Sequence, residues 1–477
     1  MRHFSAKPLI LLALALIPLS ALAERGRLEE KFGVQGIVRE NFNNEYAPGY
    51  DSTTSYAVAV ERNPITGKLM MVAYVSDVDM TPASRIGLAR FNPDGTLDTS
   101  FGTSNVAGLR LLNWSDPRRL DVDNALYQPD GKLLVTAFVF QDGQFDPVDR
   151  VLCRITAAGT FDPTFGSSGC TTLAPLINGP HFFQNQIAMD ANGRIYVGGW
   201  RTEQDDSHFP GVVRVNSDGQ IDLDFGLNGV FYVQPIGATG ATLEDMAIRP
   251  DGRILMFGTV FYGASDTRWF VIEATADGDL NSSFGPNDGQ NIITYGDNVA
   301  SSWVRGGAMV LLDDGRIATF GRGAIGGNAQ VGAVLLSADG KTIDGSWGTG
   351  LNGGIDGGRP IFVYKAMHLP DGGFAATGYA TDVDVTWDPV VIAFDEQGQL
   401  DPRFNRDGPL PGTRIFPMDA TDGIDNGRDY ALDITWSDQR VILAGAEDLD
   451  SPASEAVTML MAVEMHDGLF KDGLEDF

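Results

Sequence analysis

The sequence predicts an all-β protein, a seven-bladed β-propeller with four antiparallel strands in each blade. Two observations favour this fold. Two short patterns alternate along nearly the whole chain, and the second returns about every 60 residues, a spacing typical of one propeller blade. Gly (58 residues) and Pro (24 residues) are frequent, as expected where tight turns join many short strands. A ring of six or eight blades, or an open solenoid, is the alternative.

The first pattern is an apolar stretch, a turn, and a second apolar stretch with Gly near its end. In "MAIRPDGRILMFG" (246–258), Pro fixes φ at the first turn position and Gly supplies the positive φ that returns the chain to the ladder. Each copy is therefore a predicted β-hairpin with largely buried strands. Regular copies lie at 124–138, 186–200, 245–259, 308–322 and 366–379, and less regular copies at 57–74 and 431–446.

The second pattern is a strand followed by Asp-Gly, then Asp or Asn, then Phe-Gly, as in "FNPDGTLDTSFG" (91–102). We interpret it as the corner between two strands of one blade. The later Asp caps local backbone N–H groups, and the large aromatic side chain fills the wedge between neighbouring sheets. The aromatic positions are Phe32, Phe101, Phe165, Phe225, Phe284, Trp347 and Phe404.

The two ends of the repeat array complement each other. The N-terminal "LEEKFGVQGIVREN" (28–41) is the second half of a repeat, and the C-terminal "TMLMAVEMHDG" (458–468) is a first half. We expect the N-terminal strand to complete the last blade and close the ring, which removes exposed sheet edges. By analogy with other propellers, the strand before the hairpin turn is innermost and the strand after Phe-Gly is outermost.

The repeats resemble those of the delta-60 repeat family of bacterial secreted β-propellers. "RFNPDGTLDTSFG" (90–102) and "AIRPDGRILMFG" (247–258) carry the resemblance, which extends in phase from about residue 28 to residue 467. It implies a propeller fold and a secreted bacterial context. It brings no catalytic residues that could be assigned here.

Residues 1–23 have the pattern of a secretory signal peptide: Arg2 and Lys7, an apolar run, and the small residues Ala21 and Ala23 before a cleavage point. We therefore expect a signal peptide (1–23), a propeller (24–468) and a short tail (469–477), with export to the periplasm or the medium. The apolar run is too short for a membrane anchor, which is the alternative. A closed ring needs no partner for stability, so we expect a monomer.

Cys153 and Cys170 are the two cysteines of the chain. Cys153 lies in a predicted strand and Cys170 opens the next, so the two fall near each other if these strands pair. Disulfides persist in exported proteins, and a bridge here is the expectation. Two free buried thiols are the alternative.

The composition disfavours nucleic-acid and membrane partners, since 63 acidic residues against 34 basic ones give a net charge of −29. No cofactor is expected. Calcium is the alternative, because "NPDGTLD" (92–98) resembles part of a calcium loop, but Arg90, Arg154 and Arg214 stand where its first Asp belongs. We expect these arginines to pair with the later Asp instead. His368 is the one histidine on a predicted inner strand, and no metal site is assigned to it.

A ligand of a propeller would bind in the central funnel, where the loops before the inner strands converge. The funnel candidates are Asp123, Glu244, Asp245, Arg305, Tyr364, Lys365 and Asp429. They would hold a polar ligand or a peptide, or form a solvated rim. The sequence favours an exported, non-catalytic binding or scaffolding module for an unknown protein or polar ligand. The alternative is an enzyme of the hydrolase, lyase or lactonase type with its site in the funnel.

Overall fold

A computed structural model of the chain describes residues 25–40, 42, 53–77, 84–102, 106–112, 118–141, 147–173, 186–203, 207–263, 266–295, 304–325, 328–351, 354–355, 359–381, 386–418, 427–448 and 456–465. The expected signal peptide and C-terminal tail lie outside these residues. All the named elements of the described part are β-strands. It contains no helix long and apolar enough to span a bilayer.

The strands of the first four blades follow one another along the chain. Blade 1 contains β2 (Thr53–Arg62), β3 (Leu69–Asp77), β4 (Ser84–Phe91) and β5 (Leu109–Leu112). Blade 2 contains β6 (Arg119–Tyr127), β7 (Leu133–Phe140), β8 (Pro147–Ile155) and β9 (Cys170–Thr172). Blade 3 contains β10 (Gln186–Met189), β11 (Ile195–Thr202), β12 (His208–Val215) and β13 (Val230–Tyr232). Blade 4 contains β14 (Gly240–Ile248), β15 (Ile254–Phe261), β16 (Thr267–Ala274) and β17 (Gln290–Ile293).

The remaining three blades include one strand from the start of the chain. Blade 5 contains β18 (Arg305–Leu311), β19 (Ile317–Ile325) and β20 (Asn328–Leu336). Blade 6 contains β21 (Ile361–His368), β22 (Phe374–Thr381), β23 (Trp387–Phe394) and β24 (Thr413–Ile415). Blade 7 contains β25 (Tyr430–Ser437), β26 (Arg440–Asp448), β27 (Ala456–Glu464) and the N-terminal β1 (Ile37–Glu40).

The seven antiparallel sheets form a closed ring, which confirms the predicted fold. In every sheet except that of blade 7 the strands follow their order along the chain, as in β2-β3-β4-β5, and in blade 7 the N-terminal β1 lies beside β27. The first strand of each blade contacts the first strand of the next, from β2 through β6, β10, β14, β18 and β21 to β25, and β25 contacts β2. The first strand is therefore innermost, as predicted, and the strand after Phe-Gly is outermost.

Within the described residues, blade 5 has three named strands. In place of a fourth named strand, Ile355 forms a single bridge with Val331 on β20. The two residues exchange backbone hydrogen bonds of 3.1 and 2.8 Å. Blade 5 is one of the repeats whose corner departs from the consensus, since Trp347 replaces Phe there.

The N-terminal segment closes the ring within blade 7. Strand β1 pairs with β27 in a register that places Ile37 opposite Met461. Arg25 is buried (4% exposed) and makes ion pairs of 3.0 Å with Asp371 and 3.1 Å with Asp401, which belong to blade 6. The start of the described chain thus joins the last two blades, and the predicted closure is confirmed.

The aromatic residue of each corner packs against a turn glycine of the next blade. A Cβ atom added to Gly159 would lie 2.6 Å from the ring of Phe101, and one added to Gly340 would lie 2.1 Å from the ring of Phe284. The same contact recurs in all seven blades, and its pairs are Phe32–Gly95, Phe101–Gly159, Phe165–Gly219, Phe225–Gly278, Phe284–Gly340, Trp347–Gly398 and Phe404–Gly26. The prediction that the aromatic side chain fills the wedge between sheets is therefore confirmed.

The arginines that stand in place of a calcium ligand bind the later Asp of their corner, as expected. The Nε atom of Arg154 lies 2.9 Å from Asp162, and its Nη1 atom donates to the Ser217 carbonyl of the next blade. Arg214 makes the equivalent contacts with Asp222 and with the Ala276 carbonyl. Each ion pair therefore links a corner to its neighbouring blade.

Blade 4 carries the same type of ion pair with its charges exchanged. Glu273 occupies the position of the arginine and is fully buried. Arg249 binds one of its oxygens, and Arg253 binds the other at 2.7 Å. Asn281, in place of the acidic corner residue, donates a hydrogen bond of 2.6 Å to Glu273. The buried Glu273 carboxylate is thus bound at both oxygens by side chains of its own blade.

The two cysteines form a disulfide in this structure. Cys153 on β8 lies directly opposite Cys170 on β9, with the two Cα atoms 4.0 Å apart. Both residues belong to a buried hydrophobic cluster between blades 1 and 2. The bridge therefore joins the outer two strands of blade 2 inside the core.

Substitution of Gly340 by alanine should destabilise the fold. Gly340 has a φ of +68°, and its new Cβ would collide with the Phe284 ring. We expect a loss of about 2–4 kcal/mol in the free energy of unfolding, measured in urea. Gly345→Ala is the matched control, because no atom lies within 4 Å of its Cβ position; it should change stability by less than about 0.5 kcal/mol. Equal effects of the two substitutions would contradict the packing argument.

Candidate functional site

Six inner strands carry a β-bulge at the same point of their hairpin. The register skips one residue between Ala57 and Ala59 on β2, and the same skip recurs on β6, β14, β18, β21 and β25. A bulge leaves one residue outside the ladder and redirects its side chain. The bulged residues are Val58, Asp123, Glu244, Gly307, Tyr364 and Leu432.

All six bulged residues line one axial cavity of about 280 Å³. The cavity lies at the end of the ring where the inner strands begin, and its volume is close to the lower limit of small-molecule pockets, about 300 Å³. Its wall is mostly apolar and aromatic, with a few polar groups. The other lining residues are Tyr56, Asp121, Val122, Phe138, Phe140, Gln186, Leu243, Arg305, Gly306 and Val363.

Glu244 is the most unusual polar group of this wall. Its side chain is 6% exposed. The hydroxyl groups of Thr242 and Thr259 donate to Oε1 at 3.0 and 2.9 Å, and the Nε atom of Arg305 lies 3.5 Å from the same oxygen. Among the described residues, Oε2 has no hydrogen-bond partner. Burial raises the pKa of Glu244, and the three donors act in the opposite direction.

Blade 2 contributes two further carboxylates. Asp123 is buried and accepts a hydrogen bond of 2.6 Å from the Thr136 hydroxyl. Asp121 lies 3.4 Å from the Nε atom of Arg119. Burial raises the pKa of Asp121 to about 6, although Arg119 acts to lower it. This side of the cavity therefore holds a carboxyl group that titrates near neutral pH.

Arg150 lies behind this side of the wall. It is buried against the face of the Phe138 ring, 4.3 Å from its centroid, and 5.4 Å from the Trp200 ring. Burial lowers the pKa of Arg150 to about 9, and the charge of Asp123 opposes that shift. The arginine remains cationic at neutral pH and partly balances the carboxylates of blade 2.

The residues that follow the bulges form the floor of the cavity. Lys365 reaches the axis of the ring, where its Nζ donates to Gln186 Oε1 at 2.7 Å and lies 3.6 Å from Asp245 Oδ1. The Nε2 atom of Gln186 donates to the main-chain carbonyl of Glu244 at 2.6 Å. One amide group thus connects the lysine on the axis to the bulge that carries Glu244.

Asp245 and Asp433 also join neighbouring blades. Asp245 accepts hydrogen bonds from the backbone N–H of Met246 and, in blade 5, from that of Met309 at 2.8 Å. Asp433 of blade 7 accepts the Val60 N–H of blade 1 at 2.9 Å. These carboxylates therefore hold the inner strands together, and Asp433 does so at the point of ring closure.

The structure distributes the seven funnel candidates over three locations. Asp123, Glu244, Arg305 and Tyr364 line the cavity, and Asp245 and Lys365 form its floor. Asp429 does not line the cavity. Its N–H donates to the Trp387 carbonyl of blade 6 at 2.9 Å, which turns this stretch away from the axis, and the residue is fully buried. Asp123, Glu244 and Asp245 are buried rather than part of a solvated rim.

Several residues of the site were not among the candidates predicted from the sequence. Asp121 stands two positions before the bulged Asp123, and Tyr56 two before the bulged Val58, so strand alternation places each on the same side as its neighbour. Gln186 aligns with Asp245 when the hairpins are superposed on their turns. An alignment of the seven inner strands, rather than of the turns alone, would have found all three.

The described residues contain no group of three or more His, Cys, Asp or Glu side chains able to hold a metal ion. His368 is exposed and packs against Phe374, with 5.1 Å between ring centroids. His181 and His466 lie outside the described residues.

Comparisons with known proteins support the propeller assignment. A family model described as "Domain of unknown function (DUF5122) beta-propeller" matches residues 67–101, 128–165 and 191–225. Each segment runs from a hairpin turn to the aromatic residue of the following corner. The match supports a propeller repeat family, whereas the delta-60 name stays a resemblance. No curated protein matches the chain.

Similar solved structures include both enzymes and a protein of unknown function. A protein of unknown function from Dyadobacter fermentans DSM 18053 has 11% identity and a TM-score of 0.41, covering 91% of this chain and 100% of its own. The polysaccharide lyase Uly1 has 10% identity and a TM-score of 0.48, covering 86% and 90%. A PL25 ulvan lyase has 10% identity and a TM-score of 0.43, covering 88% and 96%. Similarity at this level carries no functional argument.

Glu61 should make the stability of the ring depend on pH. Burial, together with the charge of Asp433, raises the pKa of Glu61 to about 8. Below the pKa of the unfolded state the carboxyl group is protonated in both states, so its raised folded-state pKa does not change the free energy of unfolding. As the pH rises towards 8, ionisation favours the unfolded state and the free energy of unfolding falls. Since Gln resembles the protonated acid, Glu61→Gln should stabilise the protein by about 1–2 kcal/mol at pH 9 and have little effect at pH 4.5, measured by urea unfolding.

The control for this experiment is Glu396→Gln, because Glu396 is an exposed acid on the outer part of blade 6. Its effect on unfolding should be small and equal at the two pH values. A stabilisation by Glu61→Gln that is the same at pH 4.5 and pH 9 would show that Glu61 is not held protonated by its surroundings.

Proposed function

We propose that this protein is an exported, non-catalytic binding module that takes a small ligand in the axial cavity of its propeller. The observation that supports this most strongly is Glu244, a buried carboxylate of the cavity wall with one oxygen that receives no hydrogen bond from the described residues. A buried carboxylate without its full set of partners is costly for a fold. A carboxylate of this kind at the wall of a ligand-sized cavity is what a binding site requires.

The cavity also has the composition of a small-molecule site. Apolar side chains such as Leu243 and Val363 supply most of the wall, and Arg305, Gln186 and Tyr364 supply a few polar groups. Ligand pockets generally combine these features, because apolar burial gives affinity and a few polar groups give orientation. Each blade presents a different side chain at the axis, so the site has no repeat symmetry.

An enzyme is the second candidate, and the carboxyl groups favour it. Asp121 has a pKa of about 6 and Glu244 has a raised pKa, both because of burial. A carboxyl group with a pKa of about 6, as burial gives Asp121, acts as a general acid or base near neutral pH. A bound compound that the wild type converts and Glu244→Gln leaves unchanged would establish catalysis.

Export is the third part of the proposal. The leader pattern of residues 1–23 supports it, and so does the disulfide between Cys153 and Cys170, since such bonds persist in oxidising compartments. We propose that the exported protein binds its ligand as a monomer, in the periplasm or the medium, and without a cofactor.

The binding site can be tested with a library of small compounds of about 8–15 non-hydrogen atoms, screened by ligand-observed NMR. Compounds that bind the wild type should bind Tyr364→Ala at least about tenfold more weakly, because Tyr364 lines the cavity. Tyr232→Ala is the matched control: Tyr232 is a partly buried tyrosine in a groove on the outside of blade 3. Compounds whose affinity depends on Tyr232 and not on Tyr364 would contradict an axial site.

Export can be tested by expressing the full chain in a bacterium and alkylating thiols under denaturing conditions. The protein recovered outside the cytoplasm should begin near Glu24 and have no reactive cysteine until a reductant is added. Cys170→Ala should lose about 2–4 kcal/mol of stability through loss of the bridge. Retention of the full-length chain in the cytoplasm with two reactive thiols would argue against export.

A further inference from the structure

We infer that the ligand of the axial cavity is a small organic amine, bound through its ammonium group to Glu244. This inference rests on the proposed function, because it names the chemical class that the axial site would take. The amine would have an apolar body in contact with the wall and its positive charge at the carboxylate.

The hydrogen bonds around Glu244 identify its protonation state. The hydroxyl of Thr259 accepts the N–H of Gly306 at 3.0 Å, so its own proton is directed to Glu244 Oε1. Thr242 directs its proton to the same oxygen. Two hydroxyl protons directed at Oε1 favour a carboxylate oxygen there, and a proton on Oε2 would find no acceptor among the described residues. The arrangement therefore fits the ionised carboxylate.

The negative charge of Glu244 is only partly compensated. Arg305 forms a long ion pair of 3.5 Å with Oε1 and leaves Oε2 without a donor among the described residues. The carboxylate can accept further donors at Oε2. Oε2 is itself buried, so a donor would reach it by a small rotation of the carboxyl group, whose terminal torsion is soft. A donor that also carries a positive charge would provide a hydrogen bond to Oε2 and compensate the remaining negative charge.

The rest of the wall distinguishes an amine from a neutral or acidic ligand. Asp121 and Asp123 add two acidic groups, whereas Arg305 is the one cationic side chain among the lining residues of the described chain. The lining residues thus favour a cation over an anion. The net charge of −29 acts in the same direction, because it raises the local concentration of cations at the protein surface.

Three probes of nearly equal shape distinguish a cationic, a neutral and an anionic ligand: benzylamine, benzyl alcohol and benzoate. Their dissociation constants would be measured by titration at pH 7 in about 150 mM salt, which screens attraction to the acidic surface. We expect benzylamine to bind at least about tenfold more tightly than benzyl alcohol, and benzoate to show no binding. Glu244→Gln should weaken benzylamine at least about tenfold and change benzyl alcohol little, because only the ammonium needs the charge.

Glu396→Gln is the control variant, since it removes one exposed negative charge far from the axis and should leave all three affinities unchanged. If Glu244→Gln does not fold, a crystal structure of the wild type with benzylamine decides the question. The ammonium nitrogen should then lie within about 3.2 Å of the Glu244 carboxylate.

The outcomes separate this inference from the proposed function. Benzoate as the tightest probe, with its binding lost in Arg305→Gln, would overturn the amine and leave the axial site in place. If benzyl alcohol binds as tightly as benzylamine, the amine is likewise overturned and the axial site remains. Failure of all three probes to enter the cavity, together with failure of the compound library, would overturn the site as well.

Discussion

The contact between each corner aromatic and the glycine of the next blade is the interaction on which the ring depends. Sheets packed face to face around an axis leave wedges that widen outwards, and a flat ring of carbon atoms against a residue without Cβ fills such a wedge closely. The contact occurs at every blade junction, including the one between blade 6 and the N-terminal Gly26. A single motif therefore sets the spacing of the blades, and its repetition makes the ring close.

Closure also depends on residues far apart in sequence. Arg25 inserts between two carboxylates of blade 6, and Asp433 of blade 7 accepts an N–H from blade 1. The contact of Arg25 joins blade 7 to blade 6 near the corners, and that of Asp433 joins blade 7 to blade 1 near the axis. Blade 7, which contains both chain ends, is thus held to both of its neighbours, as a closed ring requires if the N-terminal strand is not to fray.

The architecture could be predicted almost completely from the sequence because it rests on repeated local chemistry. Asp-Gly turns, apolar strands and the phase of the two chain ends are enough to give the blade count, the order of strands and the closure by β1. The ion pairs of blade 4 were missed because Glu273 replaces the corner arginine and forms its ion pairs with Arg249 and Arg253 of the inner hairpin instead of with a corner residue.

The candidate site was predicted less well, for a reason that follows from the fold itself. The repeated residues build the end of the ring that carries the hairpin turns and the corners, whereas the cavity lies at the other end. There the backbone repeats a bulge, but the side chains that it directs to the axis differ from blade to blade, from Val58 to Glu244 to Tyr364. Repetition therefore marks the scaffold, and function has to be sought at equivalent positions where the repeats disagree. Asp429 is not among the residues that line the cavity, and its N–H donates to the Trp387 carbonyl of blade 6. Glu244 stands out because the blades that surround it offer no equivalent carboxylate except Asp123, and Asp123 is satisfied by Thr136.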